Sequence, residues 1–274
     1  VDMSKLLPCS PFDSDWLYEE LFSLAENFAD DDLRRLVQYI LRENKEKLLF
    51  YPAAVKLHHA TRGGWLHHTW TLTKLAKAII ETYPALDGDL VYTGAILHDI
   101  GKLKELETGE LGIASGYSPR GMLVGHISIG ISDVTATCEL LGIPEETAML
   151  VEHMLLAHHG QAEFGSPKLP MFPEAEVLAE IDLLDSKMYE MFDALSGVSV
   201  GAFEVVRQVV EGEIEFVKPG RGVLTAEFTV SRAKAEQLRR RACGGWSTPA
   251  ASASTRETCP RPGASSPRRP RLHR

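Results

Sequence analysis

The segment at residues 95–102 constrains this chain most, because it places His98 and Asp99 directly after three apolar residues. Burying an unpaired neutral polar group costs on the order of 2–7 kcal/mol, and burying a carboxylate costs far more. A divalent cation can compensate Asp99, since carboxylate and imidazole are ligands of Mn, Fe, Mg and Zn. The alternative is a buried His-Asp hydrogen bond in a helix that Gly101 terminates. This segment alone does not decide between the two.

The composition is that of an ordinary globular protein, with 274 residues of which 44% are hydrophobic. Such a chain can form a substantial core. No run approaches the roughly 20 apolar residues that cross a bilayer, so we expect no membrane association and a cytoplasmic location. The four cysteines form no C-x-x-C pair, so any metal has to be held by histidine and carboxylate.

The net charge of −9 is unevenly distributed along the chain. Residues 239–274 contain nine arginines, no lysine and a single acid, Glu257. The rest of the chain is therefore more acidic than the total suggests. An acidic body lacks the clustered Lys and Arg of a general nucleic-acid-binding surface, and it is better suited to a cation-binding pocket.

Apolar residues with helical spacing recur up to about residue 200. They predict helices beginning near Asp15, which is a candidate N-cap, and near residues 30–32, with further helices at 69–80, 87–102, 125–141, 145–159 and 174–193. Residues 106–123 have no period and predict a loop that can act as a lid.

These patterns predict an all-α bundle with a C-terminal extension. The tail from residue 244 is rich in Pro, Ser, Ala and Arg, which is typical of disordered segments. The expected divisions are a linker at 1–14, the bundle at 15–195, an appended arm with short strands at 196–240 and a disordered tail at 241–274.

Histidines and carboxylates recur where the predicted helices border apolar residues. A single histidine is weak support for a metal site, because it is more often a hydrogen-bonded core residue. A set on successive helices is different, since ligands from several helices of a bundle can hold two metal ions. The candidate ligands are His68, His98, Asp99, His126, His158, His159 and Asp182.

Several motifs, in the same order, resemble those of the HD-domain metal-dependent phosphohydrolases, and most closely the YhaM-type 3′-5′ exoribonucleases. The resemblance covers about residues 15–195. The motifs are RGGWLHHT at 62–69, HDIGK at 98–102, GHI at 125–127, HHG at 158–160 and IDLLDSK at 181–187.

The resemblance implies an HD-domain helical bundle that binds divalent metal, with two ions that are Mn, Fe or Mg in preference to Zn. His68, His98, Asp99 and Asp182 would form the primary site, and Asp99 would bridge to a second ion. The extra ligands of the dinuclear form would be His126 and the pair His158–His159. Which member of that pair binds stays open, because adjacent helical residues point about 100° apart.

Other residues near these motifs have two open interpretations each. Lys102 can stabilise negative charge on a phosphate, or it can be a cation at a helix C-terminus. Arg62 and the pair His58–His59 can grip phosphate or stack on a base, or they can be structural. His67 would orient a ligand or lie at the surface, and Asp185 would orient a ligand.

The expected function is a metal-dependent phosphodiesterase that acts from the 3′ end on short single-stranded RNA or DNA. In the family resembled, an OB-fold usually precedes the HD domain, and here a short linker stands in that place. We therefore expect short substrates instead of processive RNA degradation. The alternatives are a phosphohydrolase of mononucleotides or signalling nucleotides, and an inactive nucleotide-binding regulatory domain. A homo-oligomer is also compatible with the sequence.

Overall fold

The computed structural model describes residues 7–56, 59–109 and 111–196, together with the backbone of two short strands further along the chain. The first part of the predicted linker, His58, most of the appended arm and the whole Arg-rich tail lie outside the described residues. The helices are α1 (Ser14–Glu26), α2 (Asp31–Leu48), α3 (Gly64–Thr82), α4 (Gly88–Leu97), α5 (Lys102–Glu105), α6 (Pro119–Leu141), α7 (Glu145–Ala157) and α8 (Pro173–Ser196).

Four short strands form two small sheets. One sheet pairs β1 (Leu106–Thr108) with β2 (Ala114–Tyr117) in antiparallel orientation, and the other pairs β3 (Val205–Gln208) with β4 (Ile214–Val217). The prediction of a mainly helical fold is confirmed. Among the described residues, none of the helices combines the length and the apolar content that a membrane span requires.

The helices pack around one apolar core that contains fully buried Leu17, Leu36, Trp65 and Ile96. The first helix begins differently from the prediction. Its N-cap is Asp13 and not Asp15, because the Asp13 carboxylate accepts a hydrogen bond from the Trp16 N–H at 2.9 Å. The cap of α2 is Asp30, as the acidic run predicts.

The predicted loop at residues 106–123 is wrong in part, because it contains the β1–β2 hairpin and the start of α6. Ser118 caps α6 and Pro119 occupies the first turn, which is a favourable pair for a helix N-terminus. The helical geometry of α6 breaks once, at Gly125, where φ is +75° and ψ is 156°. Only glycine adopts this conformation readily, and the break gives His126 a fresh helical start.

The predicted helix at 87–102 ends earlier than expected, at Leu97 with His98 as its C-cap. Gly101 is not a left-handed C-cap, because its φ is −63° and it precedes α5. A Cβ at position 101 would lie 2.0 Å from the His126 carbonyl oxygen. Glycine is therefore needed here so that α6 can approach the His98–Asp99 turn.

Candidate metal centre

The turn after α4 buries two polar side chains, since His98 is 0% exposed and Asp99 is 2% exposed. Trp65, at the start of α3, donates a hydrogen bond from Nε1 to the Asp99 carbonyl oxygen at 3.0 Å. This bond and the close approach of α6 fix the turn, so the Asp99 carboxylate points into the bundle between α3, α6, α7 and α8.

The two oxygens of the Asp99 carboxylate face different groups. Oδ2 lies 3.2 Å from His98 Nε2 and 4.0 Å from His68 Nε2. Oδ1 lies 3.5 Å from His126 Nε2 and 3.8 Å from His158 Nε2. One carboxylate therefore joins two sets of imidazoles.

The first ligand set combines His68 of α3, His98 and Asp182 of α8. His68 Nε2 lies 3.3 Å from His98 Nε2 and 3.2 Å from Asp182 Oδ1. Two imidazole nitrogens at this separation repel each other unless a proton or a cation lies between them. This set corresponds to the primary site that the sequence predicts, with Asp99 at its edge.

The second ligand set combines His126 of α6 with His158 and His159 at the end of α7. One ligand atom from each of the three lies within 4.8 Å of the others. The sequence left open which of the two adjacent histidines faces the site. Here α7 ends at Ala157 and His158 is its C-cap, so both side chains turn toward His126.

The histidines of both sets share one hydrogen-bonding pattern, in which Nδ1 bonds to an oxygen, and Nε2 of His68, His98, His126 and His158 faces the centre. Nδ1 of His98 donates to Ala95 O, that of His158 to Leu155 O and that of His159 to Phe164 O. For His68 and His126 the acceptors are carboxylates. A neutral imidazole that donates from Nδ1 has its lone pair on Nε2, which is the form that binds metal.

Two buried carboxylates outside the ligand sets fix these orientations. Asp185 Oδ2 lies 2.7 Å from His68 Nδ1 and 3.0 Å from His59 Nε2. Glu105 Oε1 accepts from both the backbone N–H and the Nδ1 of His126, at 2.9 and 3.1 Å. The sequence predicts the orienting role of Asp185 but misses Glu105. The available signal is an acid between Leu103 and Leu106, in a segment read as a loop.

The electrostatics of the two sets differ. Burial opposes a charge on His68, but the hydrogen bonds that its imidazole donates to the Asp182 and Asp185 carboxylates raise the pKa of His68 to about 9. Burial also opposes ionisation of Asp99, yet Lys102 and His98 hold the pKa of Asp99 well below its usual range. In contrast, burial lowers the pKa of His158 and of His159, so both are neutral at pH 7.

The residues fit a divalent metal. Asp99 Oδ1, His126 Nε2 and His158 Nε2 are buried without a hydrogen-bond partner, although they face one another. Leaving buried polar atoms unpaired costs roughly 1–3 kcal/mol each, and one cation would satisfy all three. Two ligands that lie about 2.1 Å from one ion are separated by roughly 3.0–3.4 Å at octahedral or tetrahedral angles. The separations of His68 Nε2 from His98 Nε2 and Asp182 Oδ1, 3.3 and 3.2 Å, lie in this range, and those of Asp99 Oδ1 from His126 and His158, 3.5 and 3.8 Å, are slightly longer.

Lys102 lies at the centre, with Nζ 2.6 Å from Asp99 Oδ2. It begins α5 and does not end α4, so the interpretation as a cation at the C-terminus of the α4 helix is wrong. Burial works against its charge, but Asp99 outweighs burial and raises the pKa of Lys102. Lys102 therefore carries a positive charge beside the carboxylate.

The other predicted residues lie further out. His59 is buried against Asp185, and its ring lies 4.0 Å from that of Tyr189. His67 is half-buried and contacts Phe12 and His59 through ring edges. Arg62 lies with its guanidinium 5.5 Å from the ring centroid of Phe50. These three residues lie outside the two ligand sets, although His59 forms a further group with His68 and Asp185 that could hold a metal ion. Their role toward substrate stays a prediction.

One protein family matches the part of the chain that contains this centre. The family described as HD domain matches residues 65–187, which span the residues of both ligand sets. This chain belongs to the HD-domain family, as its motifs predict.

Two curated proteins are similar to this chain in sequence. The chain is 37% identical over 219 residues to the 3′-5′ exoribonuclease YhaM of Geobacillus sp. (strain WCH70), covering 80% of this chain and 66% of that protein. It is 37% identical over 203 residues to the 3′-5′ exoribonuclease YhaM of Bacillus subtilis (strain 168), covering 74% of this chain and 64% of that protein. The chain thus spans just under two thirds of the length of these relatives.

A solved structure, the HD domain of the L. monocytogenes phosphodiesterase PgpH, matches 48% of this chain and 68% of its own at 21% identity. The TM-score is 0.29. This similarity is too low to support an argument about the site, which depends on the motifs and distances above.

Proposed function

We propose that this chain is a metal-dependent phosphodiesterase that removes nucleotides from the 3′ end of short single-stranded RNA or DNA. The observation that supports this most directly is the Asp99 carboxylate, whose two oxygens face two different imidazole sets. The names of the two relatives support the same reaction class.

The proposed ligands follow from the two sets. His68, His98, Asp182 and Asp99 Oδ2 would hold one ion, and His126, His158, His159 and Asp99 Oδ1 would hold the other. When bound, the ions would supply Lewis-acid activation of a phosphoryl oxygen and of the attacking water. Imidazole ligands suit Fe and Zn and carboxylate ligands suit Mn and Mg, and the family resemblance favours Mn, Fe or Mg over Zn.

The protein's own residues would position and neutralise the phosphate. Lys102 is charged and only 12% of its side chain is exposed, so it can stabilise negative charge on phosphoryl oxygens in a site from which most water is excluded. Asp185 and Glu105 hold the imidazoles of His68 and His126 in the orientation that presents Nε2. Both carboxylates act through a ligand and not on the substrate.

The proposed substrate is short because the described residues form a helical bundle around a buried centre. The relatives are named exoribonucleases, and this chain matches about two thirds of their length. Whether Arg62 contributes to substrate binding is a separate prediction, since its guanidinium packs on Phe50. A cytoplasmic location and a homo-oligomeric state also stay predictions.

The test begins with the metal content of the purified protein, followed by an assay on a 5′-labelled RNA pentamer with added Mn²⁺. We expect a ladder that shortens from the 3′ end, and strong inhibition when the 3′ hydroxyl is blocked by a phosphate. EDTA should abolish the reaction. The Asp99→Asn variant, purified in parallel, controls for contaminating ribonuclease.

Three other outcomes would contradict the proposal. Release of phosphate from mononucleotides without cleavage of diesters would indicate a nucleotide phosphohydrolase. Bound metal without turnover of any phosphate ester would indicate a nucleotide-binding regulatory domain. Internal cleavage of a circular oligonucleotide would exclude action from a chain end.

A further inference from the structure

His59 has a strained backbone. It is the one non-glycine residue with a positive φ among the residues that the structure describes, and its φ is +52°. Side chains with a Cβ are disfavoured in this left-handed region, although histidine enters it more often than most residues. Such strain persists only where the surrounding structure imposes it, and it is often found at functional sites. The position of the His59 imidazole therefore needs an explanation.

The backbone of His59 is held from two sides. Its carbonyl oxygen accepts a hydrogen bond from the Ala53 N–H at 3.1 Å. The same oxygen lies against the start of α3, where a Cβ on Gly64 would come within 2.0 Å of it. A larger residue at position 64 would push His59 away, so the close approach of α3 fixes this turn.

The side chain of His59 is buried between α3 and α8, with 1% of the residue exposed. Its ring lies 4.6 Å from that of His67 in an edge-to-face contact and 4.0 Å from that of Tyr189. Its Nε2 lies 3.0 Å from Asp185 Oδ2. The strained backbone thus places an imidazole against the carboxylate that lies behind the ligand His68.

Asp185 accepts hydrogen bonds from both imidazoles on the same oxygen. His68 Nδ1 lies 2.7 Å from Oδ2, the atom that His59 Nε2 also contacts. Burial opposes ionisation of Asp185, but these hydrogen bonds outweigh burial and hold the pKa of its carboxyl well below the usual range. An ionised carboxylate only accepts, so both imidazoles donate. With both donors on one oxygen, the carboxylate cannot rotate without breaking a hydrogen bond.

These three side chains could also hold a metal ion, because one ligand atom from each lies within 4.8 Å of the others. The 2.7 Å between His68 Nδ1 and Asp185 Oδ2 favours a hydrogen bond instead, since two ligands of one ion are separated by roughly 3.0–3.4 Å. His68 would also have to lose its Nδ1 proton while its Nε2 faces the first ligand set. The geometry therefore favours an orienting network over a third metal site.

A cavity of about 500 Å³ between α3 and α8 borders this network, and His59 and Asp185 both line it. Of the described residues, no member of the two ligand sets lines this cavity. The network of His59, Asp185 and His68 therefore separates the cavity from the metal centre. His59 reaches the centre through Asp185 and not through direct contact with a bound ion.

We propose that His59 is a positioning residue of the metal centre, which acts on the ligand His68 through Asp185. The His59 imidazole fixes the Asp185 carboxylate, and the carboxylate holds His68 with its Nε2 toward the first ligand set. This inference rests on the metal binding in the proposed function but not on turnover. Metal affinity can therefore test it separately from hydrolysis.

The test compares His59→Leu with His59→Gln in Mn²⁺ titrations of the full chain. Leu has no donor, whereas Gln keeps an N–H group that can reach the carboxylate. Neither is branched at Cβ, so both meet the left-handed backbone with a similar penalty. We expect His59→Leu to lose about 10-fold in affinity at the first ligand set, which is at the lower end for groups that orient a ligand, and His59→Gln to recover most of it. His126→Ala, which removes a ligand of the second set, identifies the phase that belongs to the first.

A double-mutant cycle measures whether the effect passes through Asp185. In an Asp185→Asn background, His59→Leu should cause no further loss of affinity, because the carboxylate on which His59 acts is already removed. A role of His59 that is merely structural would give additive losses instead.

The matched control is His67→Leu, which removes an imidazole that contacts Phe12 and the ring of His59. It should keep the metal affinity of the unmodified protein. Circular dichroism and thermal unfolding of the metal-free variants show whether each is folded. If His59→Leu does not fold, His59→Asn replaces it, because Asn tolerates the left-handed backbone and its amide is too short to reach Asp185.

Unchanged affinity in His59→Leu would overturn the inference, even if metal binds and diesters are hydrolysed. So would an equal loss in His67→Leu, a loss that Gln does not restore, or additive losses in the cycle. Loss of a whole ion in His59→Leu would indicate a third metal site, and loss of hydrolysis at normal metal affinity would indicate a substrate contact. Both results contradict a positioning role.

The outcome for the proposed function can be read separately. If the variants show the expected affinities but no diester is hydrolysed, only the proposed function is refuted. If the unmodified protein binds no Mn²⁺, both are overturned.

Discussion

The two ligand sets that meet at Asp99 differ in their charge. His68 and His98 share their side of the centre with the Asp182 carboxylate, and Asp185 lies behind His68. The set at His126 has three imidazoles, and its nearest ligand carboxylate is Asp99 itself. The first set therefore contains one carboxylate ligand more than the second, while each set has one further carboxylate behind it, Asp185 behind His68 and Glu105 behind His126.

This difference indicates an order of metal binding. The electrostatic attraction between a divalent cation and its site is stronger when the site contributes more carboxylates in place of neutral imidazoles. We therefore infer that the set containing Asp182 takes the tighter ion and that the set containing His126 takes a weaker one.

Replacing Asp99 should abolish metal binding by both ligand sets. Asp99→Asn keeps the size of the side chain but removes the charge that both sets share. We expect neither ion to be retained after gel filtration, and diester hydrolysis to fall by more than about 100-fold, since even groups that only orient a ligand contribute about 10–100-fold. Metal content per chain and initial rates with excess Mn²⁺ measure both effects.

The matched control is Asp133→Asn, which removes a carboxylate paired with Lys104 on the outside of α6. It should keep the metal content and the rate of the unmodified protein. Retention of one ion by Asp99→Asn would contradict a shared bridging carboxylate.

Substitutions confined to one ligand set should affect only the ion that this set binds. We expect Asp182→Asn to lose the tight phase of a Mn²⁺ titration, because its set loses a carboxylate. His126→Ala should keep one tightly bound ion and lose the weak phase. Titrations followed by the signal of free Mn²⁺ distinguish the two phases. Loss of the tight phase in His126→Ala would reverse the proposed order.

The two orienting carboxylates should give smaller effects, each confined to its own set. Asp185→Asn removes the charged acceptor of His68, and Glu105→Gln removes that of His126. We expect an affinity loss of about 10–100-fold in the tight phase for the first variant and in the weak phase for the second. Equal losses in both phases for either variant would indicate general destabilisation, which thermal unfolding of the metal-free variants would reveal.

Metal removal should have only a modest effect on the stability of the folded protein. A ligand present at 100 times its Kd stabilises the folded state by about 2.7 kcal/mol, which corresponds to a Tm shift of about 5–10 °C for a domain of this size. We expect EDTA to lower Tm by that amount in the unmodified protein and to leave Asp99→Asn unchanged. An equal shift in both proteins would mean that the metal acts outside this centre.

Much of the centre could be predicted from local patterns. An acid next to a histidine inside an apolar segment predicts that both side chains are buried and that a cation or a hydrogen bond compensates the buried charge. Asp99 and His98 could be predicted in this way. Glu105 could not be found in this way, because its partner His126 is 21 residues away and the intervening hairpin has no clear period. The sequence also predicts the wrong role for Gly101. It shows that glycine can end a helix, but it does not show that the backbone of α6 packs directly against this position.

The sequence by itself determined the ligand types, their order along the chain and the helical class of the fold. These depend on local chemistry, because helical spacing and ligand preference are properties of the residues themselves. Only the tertiary structure decided that Asp99 faces two histidine sets, that both His158 and His159 turn toward His126, and that a cavity lies beside His68. These features depend on contacts between helices that are distant in the chain, and local spacing does not encode the distances between them.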